Sequence, residues 1–352
     1  MSAFLRHILC LLIGTAALAG CGLVDEDMRD CETDYTLDYE LRMVTNLTTE
    51  LQTELSLAAD VQVATALRDY LKNVFTDFAH DVDLGFYDVV RDEAAEDSLR
   101  LYHEQHIMNA NQSSYTLYIP IRRYMHLAVA NITDNGLVHL ESGALCHGAR
   151  LDQQIRDTIS CHRTGLFTAR LPMDIKEGED QQFEVSLYMA NAATALVIDT
   201  LGSGIRDVRA FATGFANSFS ICDSTYNFQY TSLVRADKID LPEPGKVCFA
   251  TVNFPSRNPK DYEPAKSIFD GDDPFVSEEA ENALWRYKVY TTMSDGKTTE
   301  SLLGVFKPLQ AGQLKVIKVK VLENGAVQPD DPTVGVSVTL DWSPGIDINV
   351  DF

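Results

Sequence analysis

Basic residues are scarce in this chain of 352 residues, where 29 lysines and arginines stand against 52 aspartates and glutamates. The formal net charge is therefore −23 at pH 7. Binding to nucleic acid and electrostatic docking on anionic lipid both require clustered positive charge. The composition argues against both functions and indicates a body kept soluble by charge repulsion. We expect no nucleic-acid partner.

Apolar runs long enough to cross a membrane are also missing. The run at residues 8–19 is shorter than the roughly 20 residues that a membrane-spanning helix needs, and no later stretch is long and apolar enough. Arg6 and His7 precede this run and small residues end it, which is the layout of a secretory signal. We expect residues 1–20 to be a signal peptide that the mature protein has lost.

Catalytic motifs are absent as well. The sequence has no G-x-S-x-G nucleophile elbow, no H-E-x-x-H, no Walker A motif and no G-x-G-x-x-G. Acidic residues are so numerous that choosing two of them as a glycosidase pair would identify nothing. We therefore expect a protein that is not an enzyme and that has no small-molecule substrate and no cofactor.

Metal-ligand patterns are weak. A histidine follows each of Cys146 and Cys161, which suggests zinc, but neighbouring side chains of a strand point to opposite faces. The acidic turns at residues 270–275 and 329–333 lack the spacing of an EF-hand loop and resemble solvated turns. We expect no metal site.

In place of a membrane span, the sequence has a cysteine at the end of its apolar run. Leu18-Ala19-Gly20-Cys21 resembles the bacterial lipobox, in which the signal peptide is cut before the cysteine and the cysteine is acylated. Cleavage between Gly20 and Cys21, with covalent lipid on Cys21, would hold the protein on a membrane, because two or more acyl chains give stable anchoring. The alternative is an ordinary signal peptide with a chance cysteine.

An acidic segment without periodicity follows at residues 21–34. We interpret it as a tether that connects the lipid on Cys21 to the folded part of the chain. Its acids Asp25, Glu26 and Asp27 resemble the export signal that sends such lipoproteins to the cell surface. The alternative is a plain solvated tether.

Five cysteines remain after the signal peptide and Cys21, in an exported body where disulfides are able to form. Nearness in sequence suggests the pairs Cys146–Cys161 and Cys222–Cys248, with Cys31 unpaired. Connectivity does not follow from sequence, and free buried thiols are the open alternative.

Alternation of apolar and polar residues predicts a mostly β fold, beginning with a strand at residues 35–44. The exception is residues 61–79, where spacing by three and four predicts one amphipathic helix that covers a sheet face, with Asp60 as its cap. A polar break near residues 175–181 divides the chain into two tandem antiparallel β-sandwich domains, at 35–178 and 179–352. Residues 183–190 and 193–200 read as a strand pair joined by a short turn at Asn191 and Ala192.

Several segments together resemble a known family. They are the lipobox, the tether ending DMRDC, the strand TLDYELRMV, the run LRDYLKNVFTDFAHDVDLGFYD, the segment SSYTLYIPIRRYMHLAVANI and the closing DWSPGIDINVDF. In this order they resemble the FimB-like fimbrial anchor-subunit lipoproteins of type V fimbriae, over nearly the whole mature chain. The resemblance implies two tandem transthyretin-like β-sandwich domains and a lipid-anchored, surface-exposed place on the outer membrane, at the base of a fimbria.

The resemblance also implies how such a subunit works. It would anchor the fimbria, limit its length and join the fimbrial shaft subunits by β-strand complementation, in which one chain supplies a strand to another. An anchor would keep its own first strand, so residues 21–42 should be retained, with Arg42 paired inside that strand. At the other end, Val334, Val336, Val338 and Leu340, continued by Ile346, Ile348 and Val350, form either a strand for the next subunit or the last strand of their own sandwich.

Two other functions remain open. A tip or accessory adhesin of the same fimbriae would have much the same sequence texture. A surface glycan-binding lipoprotein would share the lipid and the sandwiches and would need exposed aromatic platforms. The sequence has two tryptophans, Trp285 and Trp342, and both lie in strand-like runs where core packing is expected.

Overall fold

The computed structural model describes residues 34–55, 60–90, 98–108, 114–176, 181–200, 204–242, 244–258, 283–331 and 334–339. Several sequence predictions concern residues outside these ranges: the signal peptide with Gly20, the lipidated Cys21, the acids Asp25, Glu26 and Asp27, Cys31, Trp342 and the last segment at 346–352. Within the described ranges, no helix has the length and apolar character needed to cross a membrane.

The described residues form two helices and a large number of short strands, as the alternating pattern predicts. The helices are α1 (Leu47–Glu54) and α2 (Val61–Leu71). The strands are β1 (Asp34–Val44), β2 (Asp81–Val90), β3 (Ser98–Met108), β4 (Ser114–Pro120), β5 (Arg123–Ala130), β6 (Val138–Glu141), β7 (Arg150–Gln153), β8 (Thr158–Ile159), β9 (Phe167–Asp174), β10 (Gln182–Met189), β11 (Ala192–Asp199), β12 (Ile205–Thr213), β13 (Ser218–Ser220), β14 (Thr225–Asn227), β15 (Leu233–Arg235), β16 (Asp237–Ile239), β17 (Lys246–Asn253), β18 (Trp285–Met293), β19 (Thr298–Val305), β20 (Leu314–Val321), β21 (Val327–Pro329) and β22 (Val334–Thr339).

These strands form four sheets. The seven-stranded sheet has the order β3-β2-β5-β9-β10-β1-β4, and the four-stranded sheet has the order β14-β13-β7-β6. The five-stranded sheet runs β16-β17-β11-β20-β21, and the six-stranded sheet runs β22-β19-β18-β12-β15-β8. Three strand pairs are parallel, namely β1 with β10, β11 with β20 and β8 with β15. The mostly β, sandwich-like fold is confirmed, but the prediction of purely antiparallel sheets is wrong.

Two hydrophobic clusters hold the sheets together. The larger cluster joins the seven-, five- and six-stranded sheets through side chains such as Phe86, Phe249 and Trp285. The smaller cluster lies between the seven-stranded and four-stranded sheets and includes Tyr87 and Phe219. Because apolar burial is the main stabilising term in folding, these shared clusters couple the two halves of the chain.

The predicted boundary between residues 178 and 179 falls inside the seven-stranded sheet, because β10 pairs with both β1 and β9. The halves also exchange strands: β8 joins the six-stranded sheet, and β13 and β14 join the four-stranded sheet. The predicted strand pair at 183–190 and 193–200 is wrong, since β10 and β11 belong to different sheets. Asn191 is fully buried between them, where its side chain accepts from the Leu166 N–H and donates to the Thr164 carbonyl.

The prediction of one helix over residues 61–79 is wrong in number and in length. Helix α2 begins at the predicted residue but ends at Leu71. The chain then turns, and Val74 and Phe75 remain buried while Phe78 is 67% exposed. The apolar spacing beyond Leu71 therefore comes from turn residues that pack into the core. Helix α1 has a weaker pattern, because Leu51 is its one fully buried residue among threonines and polar side chains.

The helices hold the N-terminal segment against the C-terminal half of the chain. Glu50 Oε2 accepts a hydrogen bond from the Leu314 N–H at 3.1 Å, and Glu54 Oε2 accepts one from the Val316 N–H at 3.0 Å. The carboxylates therefore satisfy backbone donors of β20, close to where β21 pairs with residues 319–321. Unpaired backbone donors at a sheet edge would otherwise be open to another chain.

Ion pairs reinforce the same contact, which we name the helix clamp. It consists of Glu50, Glu54 and Asp60 with their partners Leu314, Lys315, Val316 and Lys318 on β20 and Lys246 on β17. Lys315 Nζ lies 3.0 Å from Glu54 Oε2. Asp60 is 6% exposed, and Lys318 Nζ lies 2.5 Å from its carboxylate. Removing one partner of such a pair would destabilise the fold, because the remaining buried charge would lose its compensating charge.

Candidate functional site

The N-terminal strand β1 is an internal strand of the seven-stranded sheet. It pairs in parallel with β10 over residues 38–44 and antiparallel with β4 over residues 34–40. The predicted first strand is therefore confirmed and lies between two neighbours. Removing it would leave a groove between β10 and β4, lined by the backbone groups of both strands.

The two faces of β1 differ as the alternation predicts. Leu37, Tyr39 and Leu41 point into the large hydrophobic cluster and are 1%, 0% and 7% exposed. Burying three large apolar side chains contributes about 1.5–3 kcal/mol each relative to leaving them in water. The strand is thus held by its core face as well as by its backbone.

Arg42 lies on the solvent face of this strand. Its backbone is opposite Ser186 of β10, and its guanidinium lies 3.7 Å from the Glu184 carboxylate, with both side chains exposed. The predicted pairing of Arg42 inside the first strand is confirmed on the β10 side. An exposed ion pair of this kind contributes little to stability.

A buried hydrogen bond ties β1 to the centre of the sheet. The Tyr39 hydroxyl lies 2.6 Å from His126 Nε2, and His126 Nδ1 lies 3.0 Å from the Gly85 carbonyl oxygen. Because Nδ1 faces an acceptor, it carries the proton of the neutral ring, and Tyr39 donates to Nε2. The ring also stacks on Phe86, with centroids 4.4 Å apart.

The environment of His126 keeps the imidazole neutral. Complete burial lowers the pKa of His126 to about 4, against a weaker opposing effect of the Gly85 carbonyl. Burial raises the pKa of Tyr39 above its ordinary value. This pair was not predicted from the sequence, although a histidine in register with Tyr124 and Ala128 in the segment YMHLAVANI indicates a buried imidazole.

The C-terminal strand β22 belongs to its own sandwich over the described residues. It pairs antiparallel with β19 and forms one edge of the six-stranded sheet. Val334 is 5% exposed, whereas Val336 is 41% exposed, so the predicted apolar face is buried at its beginning only. Leu340, Ile346, Ile348 and Val350 lie outside the described residues.

The predicted disulfides Cys146–Cys161 and Cys222–Cys248 are wrong. Cys146 is bonded to Cys222, with their Cα atoms 5.6 Å apart and a separation of 76 positions in sequence. The bond joins the short 3₁₀ helix at Cys146–Gly148 to the turn between β13 and β14. It therefore links the two halves of the chain beside the four-stranded sheet.

Cys161 and Cys248 are free, buried thiols. Burial raises the pKa of each thiol to about 12. The Cys161 sulfur lies 3.4 Å from the carbonyl oxygen of Arg235, in the six-stranded sheet, and 3.6 Å from that of Ala250, in the five-stranded sheet. The thiol is therefore a weak hydrogen-bond donor to both sheets. A neutral, buried thiol is a poor nucleophile.

The two histidines that follow Cys146 and Cys161 have other partners. His147 Nδ1 lies 2.8 Å from the Asp223 carboxylate on the surface. With Cys222, these two residues form a cluster of three side chains of the kind that bind metal ions. The Cys222 sulfur is in the disulfide and is not a free thiolate ligand. His162 is buried, and its Nε2 lies 2.8 Å from Gln153 Oε1.

Trp285 is a core residue. It is 1% exposed and donates its indole N–H to the Lys307 carbonyl at 3.0 Å. The core packing predicted for Trp285 is confirmed, so this tryptophan is not a surface platform for a sugar ring.

Comparison with known proteins identifies a fold class. No protein-family model matches the chain, and no curated protein matches it significantly. The fold is similar to that of a candidate adhesin from Bacteroides ovatus, with a TM-score of 0.51 and 10% identity over 88% of this chain and 98% of that one. The two proteins therefore share an overall fold.

Two fimbrial proteins from Porphyromonas gingivalis are among the other similar structures. The fimbrial anchor protein Mfa2 has a TM-score of 0.45 and 9% identity, over 88% of this chain and 99% of that one. The tip fimbrial protein Mfa3, with C-terminal truncation, has a TM-score of 0.39 and 10% identity, over 88% of this chain and 100% of that one.

Proposed function

We propose that this protein is a non-enzymatic subunit at the base of a surface fimbria. Lipid on Cys21 holds it on the outer membrane, and Asp25, Glu26 and Asp27 direct it to the outer face of that membrane. It joins the first shaft subunit by β-strand complementation and limits fimbrial length. The two halves correspond to the tandem transthyretin-like domains of the family that the sequence resembles.

The observation that carries this proposal is the position of β1. A subunit that exchanges strands must have a strand whose place another chain is able to fill, and β1 lies between β10 and β4 with its apolar face in the core. An anchor differs from a shaft subunit in keeping that strand, because cutting the chain there would detach the fold from the lipid. The internal pairing of β1 supports retention.

The helix clamp supports the same role. The chain runs from β1 into α1 and α2, which contact β20 and β16 of the C-terminal half. Tension from a lipid at Cys21 would therefore enter the fold through β1 and reach both halves by hydrogen bonds and ion pairs. A base that bears load benefits from such a link, since neither half is held by a single loop.

Replacing Cys21 with alanine tests the anchoring function. We expect Cys21→Ala cells to release intact fimbriae into the medium, or to bear unusually long ones. The reason is that a subunit without lipid would not stay at the base, where it anchors the fimbria and limits its length. Immunogold electron microscopy of cells and immunoblots of medium measure the effect. Cys31→Ala is the matched control and should leave fimbriae cell-bound, and unchanged cell-bound fimbriae in Cys21→Ala would contradict the proposal.

The N-terminus of the assembled protein is a second test. We expect mass mapping of surface protein to find a mature chain that begins at Cys21 and still contains residues 34–44. The reason is that β1 pairs with β10 over residues 38–44 and is buried on one face, which shields the bond after Arg42 from a protease. An N-terminus at Met43 would overturn the anchor assignment and favour a shaft or tip subunit.

A further inference from the structure

A cleft of about 600 Å³ opens between the outer face of the seven-stranded sheet and the β13–β14 hairpin. Its volume lies in the range of small-molecule binding sites. The floor and walls carry apolar and aromatic groups with a few hydroxyls and one cation. The lining residues include Arg170, Pro172, Ser186, Tyr188, Phe219 and Tyr226.

Tyr188 is the unusual member of this lining. It lies within β10, opposite Thr168 on one side and Val44 on the other, yet its side chain is 61% exposed. Its hydroxyl makes no hydrogen bond with any described residue. The other tyrosine of the cleft is different, because the Tyr226 hydroxyl donates to the Ala190 carbonyl at 2.7 Å and its ring packs on Phe219.

Arg170 supplies the cleft with a positive charge. Within the described ranges it forms no ion pair or hydrogen bond, although Asp223 is near enough to interact with it electrostatically. Asp223 itself is bound to His147 at 2.8 Å and to the Ser220 hydroxyl at 2.9 Å. In a chain with a net charge of −23, an arginine left without a bonded acid beside an exposed tyrosine is a group available to a ligand.

The mixture of aromatic, hydroxyl and cationic groups that line the cleft indicates the chemical class of its ligand. A flat exposed ring with an apolar floor suits the C–H face of a sugar, and the free guanidinium and the Ser186 hydroxyl suit its hydroxyl groups. A purely apolar ligand would desolvate those polar groups without replacing their hydrogen bonds. A peptide strand would find at this edge only β14, which has three residues.

We propose that this cleft is a saccharide-binding site in which Tyr188 stacks on a sugar ring and Arg170 and Ser186 orient it. Binding here adds recognition of a glycan to the anchoring role and does not depend on it. The aromatic platform is a tyrosine on a sheet face, whereas Trp285 lies in the core.

The test uses the purified full chain on an array of neutral and acidic oligosaccharides, followed by calorimetry with the strongest binder. We expect at least one saccharide to bind, and Tyr188→Ala to weaken its affinity at least tenfold. Tyr188→Phe should retain most binding, because the ring remains. Arg170→Met should weaken binding to a similar extent as Tyr188→Ala.

Tyr118→Ala is the matched control. Tyr118 is 64% exposed and lies on the same outer face of the same sheet, on β4, but it is not part of the cleft. The Tyr118→Ala variant should bind the saccharide with unchanged affinity. Thermal unfolding should show that all four variants fold. An array with no saccharide bound, or a hit that Tyr188→Ala leaves unchanged, would overturn the proposal.

Discussion

Replacing Cys222 with serine is expected to lower the free energy of unfolding by roughly 4 kcal/mol. The bond between Cys146 and Cys222 closes a loop of 76 residues, and a loop of that length restricts the unfolded chain by about that amount in the chain-entropy model. Both sulfur atoms lie in the smaller hydrophobic cluster, with the residues 0% and 2% exposed. Loss of the bond should therefore loosen the four-stranded sheet, in which strands of both halves meet.

Urea unfolding of the oxidised chain, with and without reductant, measures this effect. Reductant should destabilise the wild-type protein by about as much as the substitution does, and it should leave Cys222→Ser unchanged. Cys161 and Cys248 should resist alkylation in the native state, because both are buried and the pKa of each is about 12. A peptide map that shows Cys146 joined to Cys161 would contradict the pairing.

The pairing illustrates what sequence reasoning could not supply. Cys161 is near Cys146 in sequence, but it follows β8, which pairs with β15 in the six-stranded sheet. That pairing carries Cys161 away from the 3₁₀ helix that holds Cys146. Nearness in sequence favours a short loop, whereas the fold brings the β13–β14 turn to Cys146 instead. The residues that decide this are far apart in the chain.

The strands show the same contrast between local sequence pattern and contacts with distant residues. Alternation is a local property, so it predicted β1, β10 and β11 as strands. Which strands pair is a property of distant partners. Asn191 shows the difference, because an asparagine between two strands reads as a turn, yet here its amide is fully buried and bridges Thr164 and Leu166.

In the candidate site, too, the local features were predictable from the sequence and the long-range contacts were not. The burial of Leu37 and Leu41 and the exposure of Arg42 were readable from the strand, whereas the Tyr39–His126 bond spans 87 residues and was not. The cleft could not be predicted, because Tyr188 and Tyr226 reach it from different sheets. Lipidation of Cys21 stays a prediction from the sequence.

Acidification from pH 7 to pH 5 is expected to lower the free energy of unfolding by about 4 kcal/mol. Burial lowers the pKa of His126 to about 4 and that of His162 to about 3, whereas an unfolded histidine titrates near 6.5. Below pH 6.5 the unfolded chain therefore binds two more protons than the native chain. Stability falls by about 1.4 kcal/mol per pH unit for each histidine, and the loss continues until the pH reaches the native pKa values.

Urea unfolding at half-unit pH steps separates these histidines from the rest of the chain. His126→Gln should reduce the slope of stability against pH by about 1.4 kcal/mol per unit, because glutamine does not titrate. His162→Gln should reduce the slope by a similar amount, because burial lowers the pKa of His162 as well. A slope unchanged by His126→Gln would mean that His126 is protonated in the native protein.

The direction of this effect distinguishes buried histidines from the acidic surface. The chain has a net charge of −23 at pH 7, and protonating surface groups reduces that charge and its self-repulsion. Surface charge alone would therefore make the protein more stable, or leave it unchanged, on mild acidification. A fall in stability between pH 7 and pH 5 is the effect expected of groups that the fold keeps neutral, such as His126 and His162. Because His126 accepts the hydrogen bond that holds β1, the same titration would weaken the strand through which the proposed anchor bears its load.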